Sequence, residues 1–185
     1  VPYEEGECWS KMIPWKLTKL KGALSASQAG VAKEGWYPIY FENHDRARSV
    51  NYFFPNGGDT RLAAKALATV LMTLRGTPFI YEGEELGMTN AKYTDIAQYR
   101  DVESLNYYQI LLDEGKSQDE ALRILAARSR DNSRTPMQWS ADENAGFTTG
   151  TPWLAPPANY LTINAEAQRA DADSVFHFYQ TLIRL

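Results

Sequence analysis

Apolar residues recur at three- and four-residue steps between Arg61 and Leu74, at Leu62, Ala66, Leu67, Val70, Leu71 and Leu74, with Arg61 and Lys65 off the stripe. That spacing predicts an amphipathic helix. Pro55-Asn56-Gly57-Gly58 turns the chain ahead of it, and Asp59 or Thr60 can accept its orphan amide protons. Gly76 stops the helix and Pro78 forbids its return. On either side stands a short run with almost no polar residue, Tyr37-Pro38-Ile39-Tyr40-Phe41 and Thr77-Pro78-Phe79-Ile80-Tyr81. Such runs suit strands covered on both faces. Strand, helix, strand predicts a right-handed parallel crossover and an α/β fold. Each strand runs into a polar cluster, Glu42 to Arg48 and Glu82 to Glu85. The carboxyl ends of strands are where such units hold ligands.

Ahead of this core, Met12, Ile13, Trp15, Leu17, Leu20 and Leu24 predict a loop and a helix, with a turn or helix end near Ser25-Ala26-Ser27 and Gly30. Beyond it, Asp95 is expected to cap a helix reaching about Glu114, with Val102, Leu105, Tyr108 and Leu112 along one side and Gly115 at its end. Ser117 and Glu120 have the spacing of a capping box and introduce a helix through Leu125. The Pro-, Gly- and Asn-rich stretch from Asp131 to Asn164 is expected to be a long ordered loop, a class that commonly carries function. A last helix begins near Ser174. The expected organisation is one compact unit: a loop and helix over 1–35, the strand-helix-strand core over 36–90, an insertion and long loop over 91–164, and a final helix over 165–185. Val1-Pro2-Tyr3-Glu4-Glu5 is neither an initiator start nor a signal peptide, and the helical pattern still runs at Leu185. The chain is therefore expected to be a piece cut at both ends.

Composition changes little. With 44% hydrophobic and 23% charged residues the chain is ordinary for a globular domain. A net charge of −4 without a basic stripe argues against nucleic acid as a partner. No run is long enough to cross a membrane, and the single Cys8 fits a reducing, cytoplasmic setting. Asp171 and Asp173 lack the Gly and Glu of a calcium loop, so no metal is expected. Five Trp, eleven Tyr and seven Phe suit flat-faced ligands such as sugars and equally a core of large side chains.

Three motifs in order are more specific. They are Glu42-Asn43-His44-Asp45-Arg46-Ala47-Arg48, Gly76 to Asn90, and Arg130-Asp131-Asn132-Ser133-Arg134-Thr135-Pro136-Met137-Gln138-Trp139 followed by Asn144-Ala145-Gly146-Phe147-Thr148. Together they resemble glycoside hydrolase family 13, the α-amylase family, and within it the oligo-1,6-glucosidase, α-glucosidase and trehalose-6-phosphate hydrolase group. The resemblance implies part of a (β/α)8 TIM barrel: strands seven and eight, their flanking helices and a helical insertion after strand eight. It implies that Asp45 is the carboxylate that stabilises the transition state, that Asn43, His44 and Arg130 bind the terminal glucose, and that no cofactor is needed. The implied substrate is a small gluco-oligosaccharide or disaccharide, from which a retaining enzyme releases terminal α-linked glucose in the manner of an oligo-1,6-glucosidase.

The family's nucleophile and acid/base come from strands without a counterpart in this sequence, so the isolated chain is expected to be inactive. Arg46 and Glu82 replace residues that are usually neutral. They are expected at the site rim, with Arg48, either paired across the strand ends or with Arg46 facing an anionic substrate such as a sugar phosphate. Trehalose-6-phosphate hydrolysis and sucrose or trehalose rearrangement stay open, as do a non-catalytic barrel partner subunit and a sugar-binding fragment. Uncovered barrel edges are expected to make the chain self-associate. Glu84 and Glu85 receive structural roles, and Arg134, Gln138 and Trp139 are expected to hold the long loop together, with sugar contact as the lesser alternative.

Overall fold

A computed structural model describes Cys8, residues 13–30 and residues 32–185, so Met12 and the Val1-to-Glu5 segment discussed above lie outside the described residues. Strand β1 (Pro38–Ile39) pairs in parallel with β2 (Thr77–Pro78), Pro38 opposite Thr77 and Ile39 opposite Pro78. Helix α1 (Leu17–Gly30) precedes β1, and α2 (Ser49–Phe53) and α3 (Thr60–Thr73) make the crossover. The ladder reaches one step beyond the strands through Thr77 N to Tyr37 O at 3.1 Å and Phe79 N to Ile39 O at 2.8 Å. It is shorter than the five-residue runs suggested.

Asp59 caps α3, its carboxylate accepting from Arg61 N and Leu62 N at 2.9 and 3.1 Å. The buried face of α3 is Ala63, Ala64, Leu67, Ala68 and Leu71, whereas Leu62 is 63% exposed. The stripe is thus rotated from the one expected, because small alanines rather than leucines admit the helix packed against it. That helix is α7 (Val175–Arg184), begun by Ser174 Oγ accepting from His177 N. Val175 and Tyr179 join α2 and α3 in the main core, and Trp15, Phe41 and Tyr52 set their rings edge-on to Phe53 at 5.2, 5.6 and 5.1 Å. Helix α1 runs unbroken through Ser25–Ser27 and ends at Gly30, the last residue of the expected turn or helix end. Gln28 anchors its last turn to the end of α3, its side-chain amide bonding both Arg75 N and Arg75 O at 3.0 Å.

A second core of Tyr93, Tyr99, Leu111, Ala121, Leu125 and Leu154 lies in the insertion. There the single helix expected from Asp95 is two elements. Asp95 caps only a short 3-10 turn, Ile96–Gln98, and α4 (Val102–Asp113) starts afresh. Asp131 enforces the break by accepting from Arg100 N and Asp101 N at 2.8 and 3.0 Å. The interior face of α4 is Ser104 and Leu111, with Val102 68% exposed. Gly115 closes α4, and the Ser117–Glu120 box opens α5 (Gln118–Arg128) as expected. The 131–164 loop is ordered by short 3-10 turns. The one final helix expected over 165–185 is two, α6 (Ala165–Ala170), capped by Asn164, and α7.

Gly76 has φ +146°, and a Cβ there would lie 2.6 Å from Tyr37 O and 2.7 Å from Ile39 Cδ1. Gly76→Ala is therefore expected to cost about 2 kcal/mol or more, read as a lower unfolding midpoint by circular dichroism. An unchanged midpoint would show that the β1–β2 approach is loose.

Candidate active site

The apolar run of β1 ends at Glu42, and the next five residues form a turn with Asp45 N bonded to Asn43 Oδ1 at 2.9 Å and Arg46 N to Asn43 O at 3.3 Å. The turn pushes His44 and Asp45 outward. Asp45 Oδ1 lies 2.9 Å from Arg134 Nη2 and 3.7 Å from Arg130 Nη1, and Oδ2 lies 3.3 Å from His44 Nε2. Arg134 also donates from Nε to His44 O at 2.8 Å, clamping main chain and carboxylate of the same turn.

Arg130 is itself fixed from behind. It grips Asp101 with two parallel bonds, Nε to Oδ2 at 2.9 Å and Nη2 to Oδ1 at 2.6 Å, and Glu103 lies 3.1 Å from its Nε. This two-pronged geometry is the strongest arrangement between these group types. Burial pushes the Asp101 carboxyl up, but the hydrogen bonds and charge of Arg130 with the charge of Arg134 outweigh it and leave the pKa below the ordinary value. The same pair holds the Arg130 proton more tightly than usual.

A buried knot supports the turn. Arg48 is 0% exposed, so it is not at the rim as expected. Its Nη1 donates to Glu42 Oε2 at 3.0 Å and to Glu82 O at 2.7 Å, joining the two strand ends, and its amide donates to Asn90 Oδ1 at 2.9 Å. Glu42 Oε1 accepts from both Ser49 N and Ser49 Oγ, at 2.8 and 2.7 Å. Beside it, Glu84 accepts from Tyr179 Oη at 3.1 Å and Tyr81 N at 3.2 Å. Burial, reinforced by the charge of Glu42, raises its pKa to about 8.

Of the residues singled out from sequence, Asn43, His44, Asp45 and Arg130 come together. Arg46 is half-buried and lines a cleft along β1, and Glu82 is exposed and offers its carbonyl to Arg48. Sequence reasoning gave Arg134 chiefly a part in holding the long loop, and passed over Asp101 and Glu103. The four-residue interval from Arg130 to Arg134 was a usable signal for the first. Asp101, 29 residues before Arg130, left none. Among the described residues no group of three His, Cys, Asp or Glu side chains could hold a metal ion.

The family described as alpha amylase, catalytic domain, matches residues 2–185. The trehalose-6-phosphate hydrolase of Bacillus subtilis (strain 168) is 50% identical over 186 residues, covering 100% of this chain and 33% of its own length. The oligo-1,6-glucosidase of Parageobacillus thermoglucosidasius is 45% identical, with 93% and 31% covered. The crystal structure of Bacillus licheniformis trehalose-6-phosphate hydrolase superposes with a TM-score of 0.94 at 50% identity, over 98% of this chain and 33% of that one. The chain spans about a third of the length of the relatives it matches.

The Glu84 carboxyl gives a pH signature. Its folded pKa of about 8 lies above the ordinary 4.5, so the folded state binds the proton more tightly. Its contribution is most favourable below 4.5 and is lost as pH rises toward 8, by at most about 1.4 kcal/mol per pH unit. Melting curves between pH 4.5 and 8 should show Glu84→Gln matching the parent at the acid end and exceeding it at the alkaline end. Curves that stay parallel would contradict the burial of an ionisable Glu84.

Proposed function

The chain belongs to the alpha-amylase catalytic-domain family, and on that premise we propose that it is the Asp45-bearing third of a retaining α-glucosidase acting on trehalose 6-phosphate. The observation that carries this reading is Asp45 at a strand end, held by Arg134 at 2.9 Å with Arg130 at 3.7 Å. Retaining glycosidases place one carboxylate as nucleophile and a second carboxyl as acid/base about the scissile bond. A further carboxylate, pre-oriented by two guanidinium groups, can accept hydrogen bonds from sugar hydroxyls that strengthen as the ring becomes cationic. Arg130, locked by Asp101, supplies a directional donor at the edge of the pocket, and His44 supplies a ring nitrogen beside the same carboxylate.

The substrate assignment rests on the likeness to trehalose-6-phosphate hydrolases along the whole chain and on Arg46, a half-buried cation lining the cleft at the end of β1. Short α-1,6-linked gluco-oligosaccharides are the second reading, favoured by the 45% identity to an oligo-1,6-glucosidase. No helix among the described residues is long and apolar enough to cross a membrane. The proposal places the parent enzyme in the cytoplasm, with neither membrane nor nucleic acid as a partner. The 185-residue chain by itself lacks the other two carboxyls, so it is inactive, and its uncovered apolar surface drives self-association.

The test is a covalent chimera in which this chain replaces the corresponding third of the Bacillus subtilis trehalose-6-phosphate hydrolase. It is expected to hydrolyse trehalose 6-phosphate, and Asp45→Asn should lower kcat by about 10²- to 10³-fold. Retained activity in Asp45→Asn would refute the role of Asp45, and a preference for isomaltose would reassign the substrate. The isolated chain should release no p-nitrophenol from p-nitrophenyl α-glucoside and should scatter light as an oligomer. Turnover by a monomer would overturn both statements.

A further inference from the structure

We propose that Tyr81 is a positioning residue: its hydroxyl docks the arginine-bearing turn of the long loop onto the ends of the two strands, and so sets how Arg130 and Arg134 meet Asp45. The consequence for turnover rests on the preceding functional reading, whereas the docking itself does not. Arg130–Ser133 is a 3-10 turn, with Arg130 at its first position and Arg134 just past its last. Both guanidinium groups turn to Asp45, at 3.7 and 2.9 Å. The last carbonyls of such a turn have no partner inside it. Ser133 is 0% exposed, so its carbonyl must be satisfied by another part of the chain. Tyr81 Oη donates to it at 3.0 Å, from a strand end 52 residues earlier.

Tyr81 is itself fixed well enough to act as the anchor. Its carbonyl accepts from Glu84 N at 2.9 Å and its amide donates to Glu84 Oε2 at 3.2 Å, closing a small turn. Glu84 Oε1 accepts in turn from Tyr179 Oη of α7 at 3.1 Å. The Tyr81 ring lies 5.4 Å from the guanidinium carbon of Arg48, whose Nη1 joins the Glu42 carboxylate to the Glu82 carbonyl. One side chain thus touches both halves of the site. Its face meets the ion pair that pins the strand ends, and its tip meets the turn that carries the arginines.

Other bonds keep that turn formed. Asn132 accepts from Ala91 N at 2.9 Å and donates to Ala126 O at 3.1 Å, while Asp101 and the His44 carbonyl hold the tips of Arg130 and Arg134. The Tyr81 bond adds the approach of the turn's main chain to the end of β2. Phenylalanine at this position keeps the ring face and lacks the tip, so the two contacts can be separated without unfolding the turn.

The docking and its consequence are read separately. In the 185-residue chain, Tyr81→Phe should speed hydrogen exchange of peptides spanning 129–138 about tenfold by mass spectrometry, with peptides of α3 unchanged. Tyr37→Phe removes a hydroxyl that accepts from Gln28 Nε2 at 3.3 Å at the start of β1, and should leave 129–138 as in the parent. In the covalent chimera, Tyr81→Phe should lower kcat about tenfold and raise KM about threefold. The factors should be the same for trehalose 6-phosphate and p-nitrophenyl α-glucoside, which share a glucosyl ring and differ in leaving group. A smaller folded fraction would lower kcat and leave KM alone. Unchanged exchange over 129–138 in Tyr81→Phe, or equal acceleration by Tyr37→Phe, overturns the docking. Faster exchange with unaltered kinetics, or a fall in kcat at constant KM, overturns the positioning role. A parent chimera without activity would sink the functional reading and leave the exchange result to decide the docking.

Discussion

The ion pair between Arg48 and Glu42 is the constraint on which the rest depends. Arg48 Nη1 reaches both the Glu42 carboxylate and the carbonyl of Glu82, so one fully buried cation fixes the end of β1 against the end of β2. The Tyr81 ring adds a face 5.4 Å from the guanidinium carbon. Two of the guanidinium nitrogens, Nε and Nη2, have no partner. Desolvation is therefore only partly offset, and the pair is better understood as a positioning device than as a source of net stability. Removing one partner would strand the other charge in the interior, at a cost of about 3–5 kcal/mol.

What the pair positions is the five-residue turn from Asn43 to Ala47. Its two ends are pinned, Glu42 by Arg48 and Ser49, and Arg48 by Asn90. The intervening residues can then project His44 and Asp45 toward the arginines of the long loop without losing register. Arg134 bonds the His44 carbonyl and the Asp45 carboxylate together. Asp101 holds Arg130 at a distance from Asp45 that allows attraction without a close hydrogen bond. The result is a carboxylate whose direction is set by His44 of its own turn and by Arg130 and Arg134 of the long loop, and which is still half-exposed to an incoming ligand.

Features governed by neighbours along the chain could be read from the amino-acid sequence. Asp59 and Ser174 cap α3 and α7, Ser117 and Glu120 form their box, and the two apolar runs pair in parallel as their composition implied. The buried seam of α3 was misplaced because an alanine at a close helix contact looks the same in sequence as one on the surface. The break at Tyr99 to Asp101 was invisible because the carboxylate that causes it belongs to Asp131, some thirty residues later. At the site, the Asn43-to-Asp45 signature and Arg130 were legible as a family resemblance. Arg134 and Asp101 were not, since their roles arise only once the long loop folds back over the strand ends. Arg48 was legible as a charge but not as a buried one, because nothing local distinguishes an arginine at a rim from one holding two strands together.

The central claim is that this buried pair delivers Asp45 to a glucosyl ring shared with Arg130. The most direct measurement is a crystal structure of the covalent chimera with glucose bound. The account predicts Asp45 Oδ1 and a guanidinium nitrogen of Arg130 each within about 3 Å of hydroxyls on the same ring, with Arg48 still bonded to Glu42. A ring bound elsewhere, or an Asp45 carboxylate turned into solvent while the Arg48–Glu42 pair is intact, would contradict it.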